Sequence, residues 1–153
     1  MGANYGSAGL PRAIRTRFED GRAACTDGTH IYYDDRINEI QRKCAIVHEL
    51  IHVERGHSTT QREPVEMAVR FETSRRLLPA INGRCAAEPT LASAAKAMAV
   101  TRQVLMDRAS TLSDTESALA GCAACQKCPA MAARFDTTPP QSVDQWQEQV
   151  QWA

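Results

Sequence analysis

Residues 36–55 constrain this chain more than any other stretch. Apolar side chains recur at Ile37, Ile40, Cys44, Val47 and Ile51, three or four positions apart, the spacing that gathers them on one face of an α-helix. Gly56 follows at once, where a helix commonly turns off through a left-handed residue. The polar members of this helix stand out. His48, Glu49 and His52 are set among Ile46, Val47, Leu50 and Ile51, and a solvated surface helix does not surround its polar groups in this way.

Residues four apart on a helix share a face, so His48 and His52 can direct both imidazoles at one point. That is a two-toothed clamp for zinc. Glu49, next to the first histidine, is placed to act as a base without being a strong ligand. Zinc lowers the pKa of water at its open position towards about 7, and a neighbouring carboxylate can take that proton during attack on a peptide carbonyl and return it to the leaving amine. The His-Glu-x-x-His pattern specifies only three positions and recurs by chance; the apolar helix around it is what favours the zinc reading here.

A catalytic zinc ion needs a third protein ligand and an open fourth position. His57 does not supply the ligand through the extended pattern His-Glu-x-x-His-x-x-Gly-x-x-His, because Arg55 and Ser58 stand where that pattern needs Gly and His. Beyond Gly56 the candidates are Glu63, Glu66 and Glu72. Glu66 shares a stripe with Val69, Thr73 and Leu77, and Glu72 shares one with Val65, Ala68 and Val69. Both can face inward. His30 and His57 read as ordinary surface or loop histidines.

The remaining elements are expected around this helix. Residues 1–20 read as a loose lead-in, or a first short helix over 11–20. Residues 29–33, Thr-His-Ile-Tyr-Tyr after the turn pair Asp27-Gly28, read as a short strand and one arm of a hairpin, with Asp34-Asp35 capping the helix that follows. A second helix is expected from about Pro64 to Leu78, ended by Pro79. Residues 91–98 and 102–109 read as two short helices joined at 99–101, in the rhythm of a helix-turn-helix pair. Arg102 and Arg108 are almost its only basic residues, so direct nucleic-acid binding is not expected.

The chain of 153 residues, 43% hydrophobic, suffices for one globular domain plus a tail. Its 18 Lys and Arg balance its 18 Asp and Glu, so no global field recruits nucleic acid or a membrane surface. There is no signal-peptide pattern and no apolar run near the roughly 20 residues that span a bilayer, so a cytoplasmic location is expected. The expected fold is α+β and mostly helical, with short N-terminal strands packed on the His-Glu-x-x-His helix, then a Glu-bearing helix and a small helix-turn-helix-like segment. Residues 21–112 form the zinc metallopeptidase domain in this reading, 113–136 a Cys-rich segment, and 137–153 a flexible tail.

The stretch RKCAIVHELIHVERGH, followed by VEMAVRFETSRRLLP, resembles the ImmA/IrrE family of metallo-endopeptidases, in particular its small phage and actinobacterial members. The likeness covers roughly residues 21–112. It implies a zinc endopeptidase in which His48 and His52 match metal ligands and Glu49 the catalytic base, while the second helix supplies the third ligand as a glutamate. Glu66 is the favoured match, with Glu72 the substitute, because the family's usual Glu-Ala-Asn-x-Phe-Ala wording is replaced here around Met67, Ala68 and Val69. The resemblance also implies a protein substrate, a helix-turn-helix transcriptional repressor.

Six cysteines without an export signal read as free thiols or metal ligands. Cys122, Cys125 and Cys128, the last followed by Pro129, form a second candidate metal site; Cys85, Cys25 or a histidine would have to complete it. Cys44 reads as a small core residue. The rival to a protease is a non-catalytic zinc-binding regulatory protein that acts through protein or DNA contacts. A structural metal site needs no general base, so Glu49 separates the two.

Overall fold

The computed structural model describes residues 9–79, 91–119 and 151–152. Its elements run β1 (Arg12–Thr16), β2 (Ala24–Thr26), β3 (His30–Asp34), α1 (Glu39–Glu54), α2 (Glu63–Leu77), α3 (Leu91–Ala97), α4 (Arg102–Ser110), α5 (Asp114–Leu119) and β4 (Gln151–Trp152). The protein is α+β and mostly helical, as expected. No helix among the described residues is long and apolar enough to cross a membrane.

The hairpin expected around Asp27-Gly28 is present: β2 and β3 pair antiparallel with Cys25 opposite Tyr32. Residues 11–20 depart from expectation. They are neither a loose lead-in nor a helix, because β1 joins the sheet parallel to β3, with Ala13 opposite Ile31. Ala13 is buried with Ile31, Tyr33, Ile46 and Leu50. A five-residue strand with one fully buried side chain carries almost no periodicity of its own, so the sheet decides its conformation. The strand order is β2-β3-β1-β4. The two-residue β4 pairs parallel with Arg12 and Ala13 and falls within the stretch expected as a tail, the rest of which lies outside the described residues.

Helix α1 is central because three of its side-chain pairs, each four residues apart, point three ways. At 3.6 residues per turn, successive pairs are rotated by about 100°. Ile46 and Leu50 meet the sheet. Val47 and Ile51 meet the other helices, in a cluster with Val69, Leu77, Ala94, Met98, Val104 and Leu105. Full burial of side chains such as Ile51 and Val47 contributes on the order of 2 kcal/mol each. His48 and His52 take the third direction.

Asp34 and Asp35 do not cap α1. Asn38 does: its side chain accepts from Gln41 N (2.9 Å) while Gln41 Oε1 accepts from Asn38 N (3.0 Å), a reciprocal capping box. Asp34 is committed elsewhere. It accepts from Phe18 N (3.0 Å) and from Arg36 Nε (2.8 Å) and Nη2 (2.6 Å), and Arg36 also donates to Phe18 O. This clamp fixes the loop after β1 against the end of β3.

The pair α3 and α4 has the expected helix-turn-helix order. Ala99 adopts a left-handed φ of 51°, and Thr101 Oγ1 accepts from Val104 N (3.3 Å) to start α4. Arg70 on α2 grips the buried Asp107 on α4 through Nε (3.1 Å) and Nη2 (2.7 Å), joining the helix that carries Glu66 to this unit.

Candidate metal centre

The third direction of α1 opens into a cleft of about 780 Å³, walled by residues 20–22, by Ala24, Cys25 and Thr26 of β2, by Thr59 and Thr60, and by His48, Glu49, His52 and Glu66. Glu66 comes from the first turn of α2, where Pro64 is the second helical residue.

Three ligand atoms converge. His48 Nε2 lies 3.1 Å from His52 Nε2, and Glu66 Oε2 lies 3.4 Å from each. Two ligands of a tetrahedral zinc ion, at the usual bond lengths of about 2.0–2.1 Å, stand about 3.3 Å apart. The triangle therefore has the edge lengths of three corners of such a tetrahedron. Three lone-pair donors at these separations repel one another unless a cation or a proton lies between them. His48, His52 and Glu66 together could hold a metal ion. The other carboxylate oxygen of Glu66 accepts from Gln61 N (3.3 Å), which orients the group.

Electrostatics favour the ligand forms. Burial lowers the pKa of His48, and the neighbouring His52 lowers it further; burial also leads the lowering at His52, against the opposing charge of Glu66. Both rings are thereby held neutral, the form that offers a lone pair to a metal. Glu49 is 9% exposed and its carboxyl is pushed up to about 7, first by burial and then by the negative charge of Glu66, with Arg22 opposing. It stands outside the three-ligand group. A buried carboxyl with a pKa near neutrality is suited to exchanging protons.

Of the two glutamates left open, Glu66 meets the histidines and Glu72 does not. Glu72 Oε1 instead accepts from Arg76 Nε (3.0 Å), one turn further along α2. His30 belongs to the β-turn, against Asp27. His57 is not an ordinary loop histidine: its Nδ1 lies 2.9 Å from Nδ1 of His52. The available signal was Gly56, since a helix that ends on a left-handed glycine returns the next residue onto its last turn.

A second cavity of about 420 Å³, between α1, α2 and α4, also touches His48 and Glu49 and has Ala45, Cys44, Thr73, Thr101 and Val104 among its walls. Cys44 is buried in the helical core, as expected. Cys25 is half-buried in the wall of the larger cleft. Cys85, Cys122, Cys125 and Cys128, and with them the second candidate metal site, lie outside the described residues.

Compared with protein-family models, curated proteins and solved structures, the chain matches none.

Proposed function

We propose that this protein is a zinc-dependent endopeptidase with His48, His52 and Glu66 as metal ligands and Glu49 as general base. One observation carries the reading: a buried glutamate that is not a ligand stands beside a three-donor triangle of tetrahedral dimensions, at the floor of an open cleft. A purely structural site closes all four positions with protein ligands and has no use for a base.

Bound between these three side chains, zinc supplies Lewis acidity, polarising a carbonyl and making water a better acid. The chain's own residues do the rest. Glu49 takes the proton of the attacking water and delivers it to the amine nitrogen of the scissile bond as that bond breaks. Its burial raises its basicity for the first transfer and keeps the protonated form populated near neutral pH for the second. The edge strand β2 walls the cleft, and an edge strand presents unpaired backbone groups that bind an extended peptide. That favours a polypeptide over a small molecule. The resemblance to the ImmA/IrrE family narrows the substrate to a helix-turn-helix repressor in the cytoplasm.

The rival reading, a non-catalytic zinc-binding regulator, draws on the α3-α4 geometry. Against its DNA-binding form stands Arg108, one of the three basic residues of that segment with Lys96 and Arg102, which is buried and donates to Leu78 O (2.9 Å) and to Glu116.

The test is cleavage of a fluorogenic peptide library and of a panel of helix-turn-helix repressors by the zinc-loaded full chain, with Glu49→Gln beside it. Cleavage by wild type that Glu49→Gln lacks supports the endopeptidase. Zinc-loaded wild type that cleaves no more than Glu49→Gln overturns it.

A further inference from the structure

Helix α1 ends in a pattern of two backbone hydrogen bonds. Gly56 N donates to Val53 O (3.0 Å), and His57 N donates to His52 O (2.9 Å), with Gly56 at a left-handed φ of 71°. This is the Schellman arrangement, in which the second residue past the cap folds back onto the residue three from the helix end. An apolar contact commonly joins those two positions. Here they are His57 and His52, and the contact is a hydrogen bond: Nδ1 to Nδ1 at 2.9 Å, with ring centroids 5.2 Å apart.

A hydrogen bond between two ring nitrogens has one proton, and its position decides what His52 can do. With the proton on His52 Nδ1, His57 Nδ1 accepts and His52 Nε2 keeps a lone pair aimed at His48 and Glu66. With the proton on His57 Nδ1, a neutral His52 carries its own proton on Nε2, which blocks that lone pair. A histidine that binds a metal almost always donates its other N–H to a fixed acceptor, which sets both tautomer and ring angle. His52 is 5% exposed, so water competes little for this role.

We propose that His57 is a positioning residue of the metal centre, accepting from Nδ1–H of His52 and so holding that ring in the tautomer and orientation that present Nε2 to the ion. The inference rests on the metal-centre reading of His48, His52 and Glu66, and goes beyond it by giving a role to a side chain outside the ligand set.

The experiment is competition for Zn2+ between the full chain and a chromophoric chelator, for wild type, His57→Ala, His57→Phe, His57→Gln and His48→Ala, with far-ultraviolet circular dichroism of each metal-free form. His57→Ala and His57→Phe are expected to bind zinc about 10–100-fold more weakly than wild type. His57→Gln, whose amide oxygen can accept the same hydrogen bond, should recover most of the loss. Phe keeps an apolar contact at the helix end, so a defect shared by Ala and Phe and repaired by Gln belongs to the hydrogen bond and not to folding. Wild-type affinity in both His57→Ala and His57→Phe overturns the proposal and leaves the metal centre standing, as does a loss that Gln fails to repair. Failure of wild type to bind zinc more tightly than His48→Ala overturns the metal centre, and this proposal with it.

Discussion

The carboxylate of Glu66 stands 3.4 Å from Nε2 of His52 across the gap between α1 and α2, whereas Glu72, six residues on, is paired with Arg76 on its own helix. The two glutamates therefore separate cleanly in a metal assay. Glu66→Gln is expected to lower zinc affinity by about 100-fold or more, since losing a ligand exceeds the loss of an outer hydrogen bond, and Glu72→Gln to leave it unchanged. Elemental analysis after dialysis against a competing chelator checks both. Zinc retained in Glu66→Gln and lost in Glu72→Gln would reverse the assignment.

Glu49→Gln keeps the shape of the side chain and removes the base. It should retain zinc and lower kcat by about 100-fold or more, within the range for loss of a positioned general base. The pH profile follows from the same group. Glu49 must be ionised to accept a proton, and burial holds it near 7 in the metal-free protein; a bound dication favours the carboxylate. Activity should therefore rise with pH along an acid limb whose midpoint falls below 7, which a kcat/KM profile reads directly. An acid limb well above 7 would assign it to another group.

Metal-free protein gives a second reading of Glu49. Its folded pKa of about 7 exceeds its ordinary value of 4.5, so the folded state holds the extra proton between these values and loses stability as pH rises through them, by about 3 kcal/mol in total. His48 and His52 act in the opposite sense. Their lowered values contribute stability that is present above pH 6.5 and lost as pH falls. Comparison with Glu49→Gln isolates the glutamate. Urea unfolding should find the two proteins similar near pH 4.5 and the variant more stable near pH 8, and equal stability at pH 8 would show that Glu49 is not held in a desolvated site.

The parts of this fold that were legible in advance are those whose signal is local. The periodicity of α1, the Asp27-Gly28 turn, Pro64 and Pro79 around α2, and the break at residues 99–101 all depend on residues within one or two turns. β1 depends on pairing with β3, which no window of its own sequence contains. The choice between Glu66 and Glu72 depends on the angle at which α2 crosses α1, and a helical wheel drawn for α2 alone has no access to it. Asn38 and Gln41 carried a readable capping signature, but Asp34 and Asp35 were the more conspicuous acids, and Asp34 is spent on Phe18 and Arg36. His57 does not fit the extended ligand spacing; its position follows instead from the helix stop.

Arg70 and Asp107 predict an asymmetry. In this pair the Arg70 side chain is 37% exposed and that of Asp107 8%. Asp107→Ala leaves a guanidinium that can turn to water and should cost about 1 kcal/mol. Arg70→Ala leaves a buried carboxylate with, among the described residues, only Gln103 Nε2 (2.9 Å) as a side-chain donor and should cost about 2–3 kcal/mol. The double variant is expected to be no less stable than Arg70→Ala, because it removes the stranded charge. Chemical denaturation of the three proteins checks the order, and Asp107→Ala proving the more damaging would contradict it.

Gly56 links backbone strain to the metal centre. Its φ of 71° is one that an L side chain adopts only at a cost, and a Cβ added there meets nothing within 4 Å, so the penalty of a substitution is conformational and not steric crowding. Gly56→Ala should destabilise the protein by about 1 kcal/mol, and Gly56→Asn by less, since Asn tolerates the left-handed region better. If the chain relieves the strain by leaving the left-handed turn, His57 N loses His52 O and the ring of His57 leaves that of His52. Zinc affinity then falls in step with stability, more for Ala than for Asn. Denaturation and chelator competition on the same two variants measure both quantities. A stability loss with unchanged zinc affinity would mean that the turn holds under strain and that His57 keeps its place.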